Sequence, residues 1–369
     1  MQGDEEVFEL TSGDKILIIA EIGTAHGGSL SRARDLIDAA VESGANCVKF
    51  QVVFADEIVH PRTGLVDLPG GRIPLYDRFK SLERDEDFYG KLKEYTEERG
   101  ALFLASSFGI RSARILKRIG VKAIKIASPE LNHFPMLEEI ARYGVWKIVS
   151  SGVSKLGDIE KAFDVLGCDR SILLHCVTSY PAPEEEYNLK LIPNLAAILG
   201  LPVGVSDHSL DPTLVPVLSV LVGGVAVEKH FTLSNEGDGL DDRIALVPDR
   251  FRMMVDMLKR AVREPDLMWR ELEGRYGKRK IEEILGDGVK RLAESERESY
   301  LTTNRSIHAI REIEKGEKLS ETNIAILRTE KNLKPGLDPS FYRLVLGKKV
   351  VRRVESGDGI EWDDLLLDK

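Results

Sequence analysis

Eight places along this chain put polar side chains directly after a short β-branched or aliphatic run. Glu21 follows ILIIA, and Lys49 and Gln51 lie in VKFQ. Ser106 and Ser107 end LFLASS. Lys125, Ser128 and Glu130 lie in IKIASPE, and Ser150 and Ser151 end KIVSS. His175 ends ILLH, with Thr178 and Tyr180 just beyond. Ser206, Asp207 and His208 end VGVSDH, and Glu228, Lys229 and His230 lie in VEKH. A single lysine beside a strand is ordinarily solvated, and a single histidine ordinarily satisfies a local hydrogen bond. Eight such endings together ask for more, because a polar rim does not need lysine in mid-strand. Lys49 and Lys125 can neutralise phosphate or carboxylate, while the serines and Thr178 supply neutral hydrogen bonds. His208 and His230 can share one divalent ion, and two imidazoles with carboxylates nearby suit Mn, Fe, Co or Zn better than Ca. Side chains alternate along a strand, so Lys49 shares a face with Gln51 and Glu228 with His230. Lys229 points the other way and reads as structural. The chemistry implied is that of an anionic substrate beside a metal.

These residues need elements to hold them, and one unit recurs: an amphipathic stretch, a glycine, a β-branched run, then small or polar residues. LIDAAVESGANCVKFQ, LKRIGVKAIKIAS and IARYGVWKIVSSG are three examples. The glycine sits where a helix would end, and the run after it reads as a strand buried on both faces, as parallel sheets require. With ILIIA (16–20) there are eight strand candidates, the others starting near Cys47, Leu102, Ala123, Trp146, Ile172, Val203 and Val225. Eight β-α units in about 260 residues match a (β/α)8 TIM barrel. A doubly wound sheet is the alternative, but no glycine-rich phosphate fingerprint of the GxGxxG or P-loop type occurs. In such a barrel the chemistry sits at the C-terminal strand ends, where the polar residues fall. The pattern divides the chain into a barrel over 1–263, a charged helical linker over 264–301 and a small β-rich domain with Lys-Gly turns over 302–369.

Composition narrows the partners. The 369 residues carry 52 basic and 61 acidic groups, a net charge of −9 that argues against nucleic acid or an anionic membrane surface. The three cysteines, Cys47, Cys168 and Cys176, form no CxxC pair and suit a reducing, cytoplasmic setting. The acidic opening MQGDEEVFELTSGDK has no apolar signal core, and no apolar run is long enough to span a bilayer.

At these residues the sequence resembles the sialic acid synthase family, the nonulosonic acid synthases. The matching segments are AEIGTAHGGS, VKFQ, IKIASPE, HCVTSYPAP, VGVSDHS and VEKHFT. The tail RSIHAIREIEKGEKLSETNI resembles the antifreeze-like (SAF, β-clip) domain that ends these enzymes. The resemblance implies a synthase that condenses phosphoenolpyruvate with an N-acylated, N-acetylmannosamine-like hexose and water, releasing phosphate by C–O cleavage. It implies that His208 and His230 hold a divalent metal, manganese first, with Mg or Co as alternatives. Lys49, Ser106, Lys125, Ser128, Ser150, Thr178 and Ser206 would cradle phosphoenolpyruvate. Glu21, Gln51, Tyr180 and Asp241 would face the sugar aldehyde, with Glu21 counted among the catalytic groups. Glu130 would be the acid-base or water-positioning carboxylate. Arg328 would reach the sugar's N-acyl group from the tail of a partner chain in a domain-swapped homodimer. The chain departs from the family's usual residues at Ala25, Ser106-Ser107-Phe108, Pro129, Thr178, Leu240 and the RTEKNLKPG loop, mostly on the sugar side. Two competing readings are a related phosphoenolpyruvate-aldehyde synthase that makes a shorter keto-sugar acid, and an inactive carbohydrate-binding homologue.

Overall fold

The structure, a computed structural model, describes residues 16–68, 71–237, 239–330 and 332–365. The acidic N-terminal stretch 1–15 lies outside the described residues. Eight parallel strands close into a barrel: β1 (Leu17–Gly23), β2 (Cys47–Gln51), β3 (Leu102–Ser107), β4 (Ala123–Ile126), β5 (Trp146–Ser150), β6 (Ser171–Cys176), β7 (Val203–Asp207) and β8 (Ala226–His230). Neighbours in sequence are neighbours in space, and β8 pairs with β1. This is the (β/α)8 barrel expected from the repeating unit.

Period-two alternation sorts each strand into an inner and an outer face. Leu17, Ile19, Cys47, Leu102, Leu104, Ala123, Trp146, Ile148, Ile172, Leu174 and Ala226 point inward and fill the lower barrel with one apolar cluster. A Cβ at Gly204 would collide with the Ala226 carbonyl, so β7 packs this close only because that position has no side chain. The outer faces pack against α1 (Leu30–Glu42), α2 (Glu86–Glu98), α3 (Ile110–Arg118), α4 (Phe134–Ala141), α5 (Leu156–Leu166), α6 (Leu191–Leu199), α7 (Leu214–Leu221) and α8 (Pro248–Arg263). Gly200 ends α6 in the left-handed conformation, at φ 67 and ψ 30, that lets the chain turn straight back into the next strand.

The charged stretch after α8 also packs onto the barrel. It forms α9 (Pro265–Tyr276) and α10 (Lys278–Leu285), which bury Met268, Leu272, Ile281, Ile284 and Leu285 in the same core as the outer barrel. Residues 286–304 then lead to the small domain. There β9 (Arg305–Ala309) pairs antiparallel with β10 (Ile324–Arg328), and isolated bridges such as Ile313 to Val354 and Val350 to Leu365 complete it. Ile307, Ile313, Leu319, Ile324, Val345, Val350 and Ile360 are part of its separate core.

His26, His133, His175 and His308 are buried as neutral groups in this fold. Burial holds His133 and His175 down to about 3 and His26 and His308 to about 4, against about 6.5 in an unfolded chain. The unfolded chain therefore takes up protons below pH 6.5 that the folded chain refuses. Burial moves Glu21 the other way, to about 7, so at pH 5 it offsets one of these protons. The unfolded chain thus binds more protons than the folded chain near pH 5, and stability falls as pH drops toward it. Urea midpoints at pH 7, 6 and 5 should drop in that order. A midpoint that stays level over this range would mean that these histidines are not held neutral.

Candidate active site

The strand registers place the polar strand ends side by side. Glu21 stands beside both Lys49 and His230, Gln51 beside Ser106, Ser106 beside Lys125, and Ser206 beside both Cys176 and Glu228. Their inward side chains close the apolar interior and open a cavity of about 240 Å3 at the C-terminal mouth. Glu21, Lys49, Gln51, Ser106, Lys125, Ser128, Ser150, Thr178, Tyr180, Ser206, His208, His230, Asp241 and Arg328 all line it. Glu130 alone among the expected site residues does not.

Two lysines and two glutamates form the floor. Lys49 Nζ lies 2.8 Å from Glu228 Oε2 and 3.4 Å from Glu21 Oε2. Lys125 Nζ donates to Ser150 Oγ at 2.6 Å and lies 3.9 Å from Glu228 Oε1, which also accepts from Ser206 Oγ at 2.8 Å. Burial would raise the Glu228 carboxyl, but Lys125 and Lys49 outweigh it and hold the group at about 2. Burial lowers Lys125 to about 8, even with Glu228 beside it. Glu21 differs. Burial raises it to about 7 against the pull of Lys49, and the charge of Glu228 adds to the rise. Gln51 Nε2 donates to Glu21 Oε1 at 2.8 Å and fixes the carboxyl's orientation. The cavity thus joins lysines that favour an anion to a carboxyl that exchanges its proton near neutrality.

His208 and His230 face each other across the ends of β7 and β8, ring centroids 5.4 Å apart, with Tyr180 stacked on His208 at 4.2 Å. His208 Nδ1 sits 2.8 Å from the Val177 carbonyl, an atom that only accepts, so Nδ1 carries the proton and Nε2 offers its lone pair. Burial holds His230 well below its usual range, leaving it neutral. Asp241 Oδ2 lies 3.7 Å from His230 Nδ1. Among the described residues no three histidine, cysteine or acidic side chains converge as a closed metal cage. A divalent ion fits here only as a two-imidazole site, with its remaining positions left to water or substrate oxygens.

Two of the expected residues have surroundings that the sequence did not announce. Glu130 is fully buried behind the cavity wall, where Arg305 Nε and Arg328 Nε donate to its two oxygens at 2.5 and 3.2 Å. It has no exposed oxygen with which to meet water or substrate. Arg328 does reach the mouth, but the mouth of its own barrel. Residues 286–304 bring the tail back over it, Arg328 bridges to Val59, and Asn132 exchanges two hydrogen bonds with the Arg305 backbone. Within the chain the Arg328 guanidinium is turned to Glu130.

Other groups went unnoticed in the sequence. Inward alternation on β6 runs Ile172, Leu174, Cys176, so Cys176 lines the cavity, while His175 faces outward against the Tyr187 carbonyl. The same rule places Glu228, which the sequence already sets on one face with His230, on the floor. Lys229 points outward to Asp207 and the Ser209 carbonyl. Phe79, Phe108, Leu240 and Thr303 enter from loops and short helices that strand periodicity does not reach.

Comparison with known proteins bears on this pocket. A family model described as the NeuB family matches residues 36–264, and one described as the SAF domain matches residues 304–366. The spore coat polysaccharide biosynthesis protein SpsE of Bacillus subtilis is 37% identical over 359 residues, covering 95% of this chain and 94% of that protein. The N,N'-diacetyllegionaminic acid synthase of Legionella pneumophila is 31% identical over 359 residues, covering 94% of each. The crystal structure of the Bacillus protein superposes with a TM-score of 0.80 at 36% identity, over 96% of both chains.

Proposed function

Because this chain belongs to the NeuB family and ends in a SAF domain, we propose that it condenses phosphoenolpyruvate with an N-acylated hexose and water, yielding a nonulosonic acid and phosphate. The observation that carries this reading is the meeting of Lys49 and Lys125 with Ser106, Ser128, Ser150 and Ser206 below the paired imidazoles. Two ammonium groups and four hydroxyls suit a small substrate bearing both phosphate and carboxylate. The aldehyde end of the sugar lies toward Gln51, Tyr180 and Asp241. C3 of phosphoenolpyruvate attacks the aldehyde carbon, and the aldehyde oxygen takes up a proton from solvent. Water adds at C2 and gives one proton to Glu21, which returns it to solvent. The tetrahedral centre then forms the C2 keto group, as the C–O bond breaks and phosphate leaves with the remaining hydroxyl proton. Glu21 takes the acid-base role because it is the carboxyl inside the cavity poised near neutrality.

His208 and His230 would hold a divalent ion, manganese before Mg or Co, which when bound supplies Lewis acidity to the aldehyde oxygen. Exhaustive chelation should lower turnover by about 10²-fold, with recovery on adding manganese. Metal content, measured separately, should fall from one ion per chain in the wild type to none in His230→Ala. Full turnover by the metal-free protein would rule the role out. The proposed reaction is tested by phosphate release from phosphoenolpyruvate across a panel of acylated and non-acylated hexoses. Release with no acceptor preferred over another would defeat it, and preference for a phosphorylated, non-acylated sugar would favour the shorter keto-sugar acid instead.

A further inference from the structure

Glu296 lies on the 286–304 stretch between barrel and tail, buried to 1% exposure. Its Oε1 accepts from the backbone N–H groups of Val153 and Thr178, both at 2.7 Å, and its Oε2 accepts from that of Ala293 at 3.2 Å. Val153 follows β5 and Thr178 follows β6, so one carboxylate ties two adjacent strand-end loops together. Val153 needs such a tie. Its φ of 40 lies in the left-handed region, which a β-branched residue adopts only when its surroundings impose it. Next to it the Gly152 N–H donates to Ser128 Oγ at 3.0 Å. A Cβ on Gly152 would land on Thr178 Oγ1. Ser128, Gly152 and Thr178 therefore form a shelf in atomic contact, and Glu296 fastens it from behind. Glu296 itself does not touch the active cavity. It lines the neighbouring one, with His175 and Lys290.

We infer that Glu296 is a positioning residue for phosphoenolpyruvate, acting through Thr178 and through Gly152 and Ser128 to set the anion-binding end of the pocket. The inference rests on reading that pocket as the phosphoenolpyruvate site. It makes the connection to the tail a working part of the barrel's site. Charge-assisted acceptance of two N–H groups by one oxygen is strong and directional, so its loss releases both loops.

Calorimetric titration of phosphoenolpyruvate into the full chain decides the matter. Glu296→Gln keeps an acceptor oxygen where the two N–H groups meet and gives up only the Ala293 bond. Its affinity should stay within about threefold of wild type. Glu296→Ala leaves both N–H groups unpaired and should weaken binding by about 10²-fold. A purely structural role would lower the melting temperature while the folded protein kept its affinity. Equal affinity of Glu296→Ala and wild type would therefore overturn the inference. If the alanine variant does not fold, Glu296→Asp carries the same expectation of weakened binding, because it keeps the charge but stops short of both N–H groups. Undiminished affinity there overturns the inference equally. Absence of binding by the wild type would instead undo the reading of the pocket, and this inference with it.

Discussion

Glu21→Gln is expected to lower kcat by about 10²–10⁴-fold, the range lost when a positioned acid-base group is removed, with little change in phosphoenolpyruvate affinity. Glutamine keeps the shape and can still accept from Gln51 Nε2, which lies 2.8 Å from Glu21 Oε1. It cannot take a proton. The pH profile carries the sharper test. Burial raises the Glu21 carboxyl to about 7, opposed by Lys49 and reinforced by Glu228. The proposed base is the ionised form, so wild-type kcat/KM should fall as pH drops below about 7 and level off above it. The variant should lose that acid limb along with its rate. A limb that survives in Glu21→Gln would assign it to another group, and an unchanged kcat would return Glu21 to an orienting role for Lys49.

Glu130→Ala should act on stability first. Its carboxylate is the counter-charge for Arg305, whose side chain has no exposure, and for Arg328. Removing one partner of a buried pair strands the other in low dielectric and costs about 3–5 kcal/mol. Both arginines belong to the tail, so the loss should appear as undocking of the tail from the barrel. Urea unfolding should show the lowered stability, and limited proteolysis should cut faster within 286–304. A double-mutant cycle with Arg305→Met should give strongly non-additive losses, since removing both charges leaves nothing stranded. An acid-base role for Glu130 beside this one would show in folded Glu130→Gln as a loss of kcat at unchanged phosphoenolpyruvate affinity.

Those two carboxylates show how far the sequence could be read. Glu21 was legible because strand alternation is local: a residue two places beyond an inward Ile19 must also point inward. The same rule reached Lys49, Gln51, Ser106, Lys125, Ser150, Ser206, His208 and His230. It reached Glu228 as well, on the face of His230, and it extends to Cys176 on β6. At β6 the last polar residue, His175, stood in for the inward one. Glu130 was out of reach for a different reason. Its position after β4 is local, but its surroundings are set by Arg305, 175 residues along the chain, and by Arg328, 198 residues along. No periodicity in IKIASPE announces two guanidiniums arriving from another domain. The eight-stranded barrel was legible because its repeating unit is short. The packing of α9 and α10 was less so, because their charged outer faces mask the apolar stripe that joins the core.

Apart from Glu130, Arg305 addresses only main-chain oxygens among the described residues. It donates to the carbonyls of Glu57, Ile58, Phe108 and Ile326, with distances of 3.5, 2.7 and 3.1 Å to the last three. A carbonyl is the same atom whatever side chain the residue carries. The side chains at 57, 58, 108 and 326 can therefore change over generations without altering what the guanidinium meets, provided the local backbone path is kept. What must be retained together at this joint are the side chains that meet one another: glutamate at 130 with arginines at 305 and 328, and asparagine at 132.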